Sequence, residues 1–292
     1  MSIPYRKIHV VINPAAGKDE PILNTINKVF HKYKIDWQVS ITKKFGDATR
    51  LAKQAIANGV DLVAGYGGDG TQMEIANAVI GSSTPMAILP GGTGNAMSFE
   101  LKVPRKLEQA AELICQSSKI RKIDVARIED QHFMLRAYSG IEESEKTSRE
   151  NKDRFGNLAY IVDTLHTIDN PPHAQYRLNI DGEQVEEEGL TCLILNAGSL
   201  GGIDLHATKQ VDVSDGLLDV FIVNKDLPSI RSLASYLLDV GNAQVGVHHW
   251  QGKEIIVEAD PPQTSWIDGE LFGPTPYTIT AIHQGVPIVV PE

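Results

Sequence analysis

Residues 67–71 read Gly-Gly-Asp-Gly-Thr, three glycines around one carboxylate with a hydroxyl at the end. An apolar run, Asp61-Leu62-Val63-Ala64-Gly65-Tyr66, precedes them, and Gln72–Ile80 can form a helix. A strand feeding a glycine-rich turn and then a helix makes a nest of backbone N–H groups suited to phosphate oxygens. Glycine allows the positive φ and the close backbone approach that such a nest needs. Asp69 is the odd member, because a carboxylate beside phosphates repels them unless it holds a cation or takes a proton. The segment therefore suggests a nucleotide phosphate together with Mg²⁺, the partnership of phosphoryl transfer. The competing reading is a tight turn with no ligand.

Other segments bear on that choice. Gly65-Tyr66-Gly67-Gly68-Asp69-Gly70 satisfies the dinucleotide pattern G-x-G-x-x-G, which needs an acidic residue at the end of the next strand. That strand, Met86-Ala87-Ile88-Leu89, ends in Pro90-Gly91, which disfavours a dinucleotide-dependent dehydrogenase. Gly17-Lys18 is followed by Asp19, so no P-loop is present. Asn13-Pro14-Ala15-Ala16-Gly17-Lys18 closes the first strand as a sharp turn. Gly91-Gly92-Thr93-Gly94-Asn95 is a second glycine-rich loop at the carboxyl edge of the same expected sheet, where Thr93 and Asn95 can bond phosphate or ribose. Asp212-Val213-Ser214-Asp215-Gly216-Leu217 holds acids that either cap a turn or bind a hard cation. Asp268-Gly269-Glu270 is either a type I′ turn with a solvated glutamate or a general base with an electrostatic partner. His248-His249 beside Trp250 reads as packing or surface, since no second ligand set stands at metal spacing.

These residues need a scaffold. The chain has 292 residues, 42% hydrophobic and 22% charged, enough for two globular domains. The first part alternates strand and helix: a strand at 7–13, a helical face at Ile26, Val29, Phe30 and Tyr33, a strand at 37–42, a helix capped by Asp47 and closed by Gly59, then the strands before each glycine loop and a helix at 107–115. This rhythm predicts a parallel sheet covered on both faces. The second part predicts strands at 133–138, 176–180, 190–195, 217–223, 254–259, 265–271 and 277–282, with helices at 157–168 and 229–240. The expected division is 1–125 as a nucleotide-binding α/β domain and 126–292 as a β-rich substrate domain, with the final residues packing back on the first. A net charge of −10 argues against nucleic acid as partner. Local basic pairs, Lys43-Lys44, Arg105-Lys106 and Arg121-Lys122, leave contact with an anionic membrane open. Cys115 and Cys192 lie in apolar segments and read as reduced core residues. Residues 1–7 run into a strand and read as no signal peptide, so a cytoplasmic location is expected.

Taken in order, Asn13-Pro14-x-x-Gly17, the 67–71 loop, Gly92-Thr93-Gly94-Asn95, Phe155-Gly156-Asn157-Leu158-Ala159-Tyr160, Asp215-Gly216-Leu217-Leu218-Asp219-Val220 and Asp268-Gly269-Glu270 resemble the diacylglycerol kinase catalytic family, the soluble bacterial lipid kinases in particular. The resemblance implies an α/β domain of NAD-kinase and phosphofructokinase type followed by a β-sandwich-like domain. It implies transfer of the γ-phosphate of ATP to a lipid hydroxyl, most simply that of diacylglycerol, with Mg²⁺ and transient contact with a membrane surface. It assigns ATP contacts to Asn13, Gly17, Thr42, Gly67, Gly68, Asp69, Gly70, Thr71, Gly92, Thr93 and Asn95, and catalytic roles to Asp69, Glu270 and Asp268. It assigns a structural Mg²⁺ to Asp212, Asp215 and Leu217, through backbone oxygens at Asp212 and Leu217. Ala96 stands where the family often has aspartate, as in sphingosine kinases, so a sphingoid base is an alternative acceptor. An NAD kinase and a non-catalytic binder are the remaining alternatives, and a homodimer is left open.

Overall fold

The computed structural model describes residues 4–16, 20–140, 173–198, 211–224 and 247–292. They fall into two compact units, Met1–Ile123 with Gln284–Glu292, and Asp124–His283.

The first unit begins β1 (Lys7–Ile12), α1 (Ile22–Lys32), β2 (Asp36–Ile41), α2 (Asp47–Ala57), β3 (Leu62–Gly67), α3 (Asp69–Val79), β4 (Met86–Pro90), α4 (Ala96–Glu100) and α5 (Leu107–Gln116). The strands are parallel in the order β2-β1-β3-β4. Every residue of β3 and β4 is buried, as expected of parallel strands covered on both faces. β2 is the edge, and most of its residues are exposed. The chain moves one way from β1 to β2 and the other way from β2 through β3 to β4. Right-handed crossovers then put α1 on one face and α2 and α3 on the other. Ile26, Val29 and Phe30 are the buried stripe of α1. α2 starts differently from the expectation: Gly46, with φ 83°, is the cap, and Asp47 is already helical. Its carboxylate instead accepts the N–H groups of Lys43 and Lys44. The open α2 end is served from α3, where Glu74 Oε2 accepts the Ala48 N–H at 2.9 Å.

The second unit continues with β5 (Ile120–Ile128), which crosses the division, β6 (Gln131–Phe133), β7 (Arg136–Ser139), β8 (Ala174–Ile180), β9 (Glu183–Gly189), β10 (Thr191–Leu195), β11 (Leu218–Val223), β12 (Val247–Gly252), β13 (Glu254–Asp260), β14 (Thr264–Ile267), β15 (Glu270–Pro274) and β16 (Tyr277–Val289). One sheet runs β12-β11-β10-β7-β14-β15. Facing it, β13 pairs with both β16 and β8, and β8 pairs with β9. All these pairs are antiparallel, as expected for the second domain. Tyr176, Leu178, Ile255, Val257 and Ile279 from one sheet meet Cys192, Ile194, Val220 and Ile222 from the other in a single core. Ser139 and Tyr277 join the sheets through a buried hydroxyl pair at 2.6 Å. Glu183, Glu186, Glu187 and Glu188 lie on the outer strand β9, which forms an antiparallel hairpin with β8. His249 is packing, as expected: it stacks on Phe221 at 4.5 Å and bonds Asp219 at 2.7 Å. The end of β16 belongs to the first unit, where Ile288 pairs with Met86 of β4.

Cys115 and Cys192 are free and buried, in different units. Burial pushes both thiols up to about 12, so they are inert core residues, as expected. Gly17, the motif at 155–160 and the helices expected at 157–168 and 229–240 lie outside the described residues.

Candidate active site

In an open parallel sheet, ligands bind where neighbouring strands send their chains in opposite directions, outside the carboxyl ends. Here that point lies between β1 and β3. Asn13 stands at the end of β1 and reaches the other side of it. Its N–H bonds the Tyr66 carbonyl at 2.9 Å, and its Nδ2 donates to Thr71 Oγ1 at 3.1 Å. Its Oδ1 accepts the Ala15 N–H at 3.0 Å, which shapes its own turn. Thr42, buried, ends β2 with its N–H on the Ile12 carbonyl.

The glycines are required sterically. A Cβ on Gly67 would lie 2.5 Å from the Thr71 side chain. A Cβ on Gly92 would lie 2.5 Å from the Gly68 Cα, which is backbone and cannot swing away. Gly91 donates its N–H to the Gly67 carbonyl at 3.1 Å, and a Cβ there would enter the Tyr66 ring. The two loops are thus pressed backbone to backbone. Gly68 caps α3 in an extended conformation with no side-chain cap hydrogen bond, so the positive end of the helix dipole lies at this loop, with Asp69 the acid of the first turn. Thr93 is exposed beside them. Asn95 is left-handed, φ 48°, and its Oδ1 accepts the Gly92 N–H at 3.0 Å. Gly92→Ala should therefore force the loops apart at a cost of about 1–3 kcal/mol and weaken nucleotide binding roughly tenfold or more. Isothermal titration with a nucleoside triphosphate reads this directly; unchanged affinity would show that the loop contact is not needed.

Asp69 opens α3 and reaches across to the second loop. Its Oδ2 accepts the Ala96 N–H at 3.0 Å and its Oδ1 the Met97 N–H at 3.1 Å. Sequence reasoning offered a cation or a proton as the partner of this carboxylate. The structure adds a third, the amino end of α4, so Asp69 also braces one glycine loop against the other. Gln72, one turn into α3, is buried and donates to the Gly65 carbonyl at 2.9 Å, a support that nothing in the chain's pattern announces.

In the second unit, Asp268 and Gly269 both have positive φ, 47° and 89°, between paired residues Ile267 and Glu270. That is the two-residue type I′ hairpin turn. The Asp268 carboxylate turns inward and accepts the N–H groups of Met134, Leu135 and Arg136 at 3.2, 3.2 and 2.9 Å. It holds the start of β7. Glu270 is exposed, and no hydrogen bond or ion pair holds its carboxylate among the described residues.

The Asp212–Leu217 turn is an all-oxygen site. Asp212 Oδ1 accepts Ser214 N–H and Oγ–H, and Asp215 Oδ1 accepts the Leu217 N–H at 2.9 Å. Partial burial, then the nearby carboxylates of Asp219, Asp212 and Asp124, hold the Asp215 carboxyl above its usual range. Asp124, which the sequence reading missed, is fully buried and takes the Gly216 N–H at 2.6 Å and His283 Nδ1 at 2.9 Å. Its one signal was an aspartate inside the apolar run Ile123–Val125. Among the described residues no three imidazole, thiolate or carboxylate side chains converge on a common metal point. The donor set and its crowded negative charge nonetheless suit a hard cation held by two carboxylates and backbone oxygens.

Residues 7–128 match the family model for the diacylglycerol kinase catalytic domain, and residues 136–290 that for the YegS C-terminal NAD kinase beta sandwich-like domain. A Staphylococcus aureus (strain MSSA476) protein named "Putative lipid kinase" is 30% identical over 289 residues, which cover 95% of this chain and 92% of that one. Two solved chains from Bacillus anthracis str. Sterne, each 28% identical, superpose with TM-scores of 0.87 and 0.84 over 100% of this chain and 99% of theirs; the second is described as a diacylglycerol kinase. With both halves matched in order, the chain belongs to the diacylglycerol kinase catalytic-domain family and is a phosphotransferase of the kinase type.

Proposed function

We propose that the protein transfers the γ-phosphoryl group of ATP to the hydroxyl of a lipid, with diacylglycerol the first acceptor to test. The observation that carries this reading is the pair of glycine loops at the switch point, with Gly68 against Gly92 and an uncapped helix start beside them. Such a floor bonds phosphate oxygens through backbone N–H groups and leaves no room for side chains. Asn13, Thr42, Thr71, Thr93 and Asn95 line the same strand ends and serve the nucleotide; Gly17 joins them by motif. Asp69 fixes the loops and serves the phosphates' cation. Glu270, exposed and unengaged, takes the proton of the lipid hydroxyl as its oxygen bonds to phosphorus and ADP leaves. Asp268, with its oxygens committed to β7, positions the hairpin that carries Glu270. Mg²⁺, when bound, neutralises charge on the transferring phosphates and, at Asp212, Asp215 and Leu217, on the acidic turn.

A transfer assay with ³²P-labelled ATP over a panel of diacylglycerol, monoacylglycerol, sphingoid base and polyprenol, with NAD as control, tests the reading. Ala96 keeps the sphingoid base in the panel. Label on NAD alone would replace the lipid reading, and label on nothing would leave a binder.

Mg²⁺ should raise the melting temperature of the wild type by binding the native state, and Asp215→Ala should lose that response. The pH dependence follows in sign. A carboxyl whose folded pKa is raised contributes stability below the ordinary carboxylate range and loses it as pH rises through the raised value. Metal-free protein should therefore give up this increment on passing from acid to neutral pH, and Mg²⁺ should restore it. Thermal scans at both pH values, with and without Mg²⁺, check the sign; an unaltered Mg²⁺ response in Asp215→Ala removes the turn as the site.

A further inference from the structure

The edge of the first unit carries an apolar strip with little cover. Phe30 of α1 meets Trp37 of β2 edge-on at 5.7 Å, so this side of β2 faces α1. Val39 and Ile41 alternate with Trp37 on that side. Leu23 lies two turns before Phe30 on the same helix face. Because α1 runs antiparallel to its strands, Leu23 and Ile41 both lie toward the carboxyl edge of the sheet. There the cover thins: Val39 is 40% exposed, Leu23 48% and Ile41 53%. The next loop continues the strip with Phe45, 80% exposed.

This loop is held in shape. Asp47 Oδ2 accepts the N–H groups of Lys43 and Lys44 at 3.0 and 3.2 Å, its Oδ1 pairs with Arg50 at 2.9 Å, and Gly46 turns with φ 83°. The loop's own carboxylate is thus already paired. Lys43 and Lys44 are exposed on either side of no acid: neither has an ion-pair partner among the described residues. An aromatic tip preceded by two solvated lysines fits an anionic bilayer, where aromatic rings settle at headgroup level and lysines meet lipid phosphates.

We propose that the Phe45 loop docks the protein on an anionic lipid surface, with Phe45 entering the interface and Lys43 and Lys44 on the phosphates of neighbouring lipids. A chain of net charge −10 is repelled by such a surface, so its docking element must carry local positive charge, as this loop does. A second copy of the chain would bring the same lysines and the same net charge, not the anion they call for. The loop leaves the carboxyl edge that carries Thr42, Asn13 and the glycine loops, so docking here would hold the nucleotide edge toward the source of the acceptor. The inference rests on the lipid kinase reading for its purpose but not for its test.

Co-sedimentation with vesicles of phosphatidylcholine alone, and of phosphatidylcholine with phosphatidylglycerol, is measured without ATP or diacylglycerol. The wild type should partition to the anionic vesicles, and Phe45→Ser and the Lys43→Gln/Lys44→Gln pair should each weaken partition roughly tenfold or more. Their thermal melts should stay unchanged because the side chains are solvated, and activity on a monomeric short-chain acceptor should be kept. Equal partition of Phe45→Ser and wild type overturns the proposal, as does a wild type that ignores anionic vesicles. A wild-type dimer that Phe45→Ser dissociates, with vesicle binding retained, would give the strip to a second copy instead. Vesicle binding through Phe45 with no lipid phosphorylated would leave docking standing and remove the kinase reading.

Discussion

Glu270→Gln is expected to lower kcat by roughly 10²–10⁴-fold, the worth of a positioned general base, while the Kd for ATP stays near the wild-type value. The amide keeps the size of the side chain and its place at the mouth of the hairpin but cannot take a proton. Asp268→Asn should behave differently. Its oxygens hold three backbone N–H groups, and the amide can present only one oxygen to them. Lost hydrogen bonds to a charged group cost about 1.5–3 kcal/mol, which for a unit of this size is a fall of roughly 3–12 °C in Tm at 2–4 °C per kcal/mol. Steady-state kinetics and calorimetry on the two variants separate the roles. A large kcat loss in Asp268→Asn with an unchanged melt, beside a near-normal Glu270→Gln, would reverse them.

Asp69→Ala should abolish turnover and also soften the protein. Read as a solvated loop carboxylate, its removal would cost no stability. Its two bonds to the start of α4 change that expectation, since a lost cap costs about 1 kcal/mol and charge-assisted bonds more. Asp69→Asn is the informative companion: it retains one acceptor but turns an N–H₂ against a backbone N–H. Both variants should bind ATP more weakly and melt a few degrees lower, with Asp69→Asn between Asp69→Ala and wild type in Tm yet as inactive as Asp69→Ala. Should Asp69→Asn recover both melt and turnover, bracing is the whole role of Asp69 and no charge is needed there.

These cases mark what the sequence can express. Gly67 and Gly92 were readable because a Cβ there would meet the Thr71 side chain or the Gly68 backbone, and Asp268-Gly269 because positive φ at both turn positions selects its residues. β3 and β4 were readable because burial on both faces writes an unbroken apolar run. Partners distant in the chain left no such mark. Asp268 finds its donors more than 130 positions away, and Asp124 finds Gly216 at 92. The strand expected at 277–282 runs on to Val289, passing through Gln284 at φ 52°.

The return of Gln284–Glu292 to the first unit has a consequence for biosynthesis. β4 is buried along its whole length and takes its outer neighbour from the end of β16. Nearby, Ser117 Oγ donates to the Val290 carbonyl at 2.7 Å, and the Val290 N–H bonds the Lys119 carbonyl at 3.0 Å. A ribosome delivers residues 1–123 long before residue 288. During that interval the nascent first unit carries a bare, apolar strand edge, the template on which other chains aggregate. The first unit is thus begun before the second and finished after it, its two pieces separated by 160 residues of synthesis.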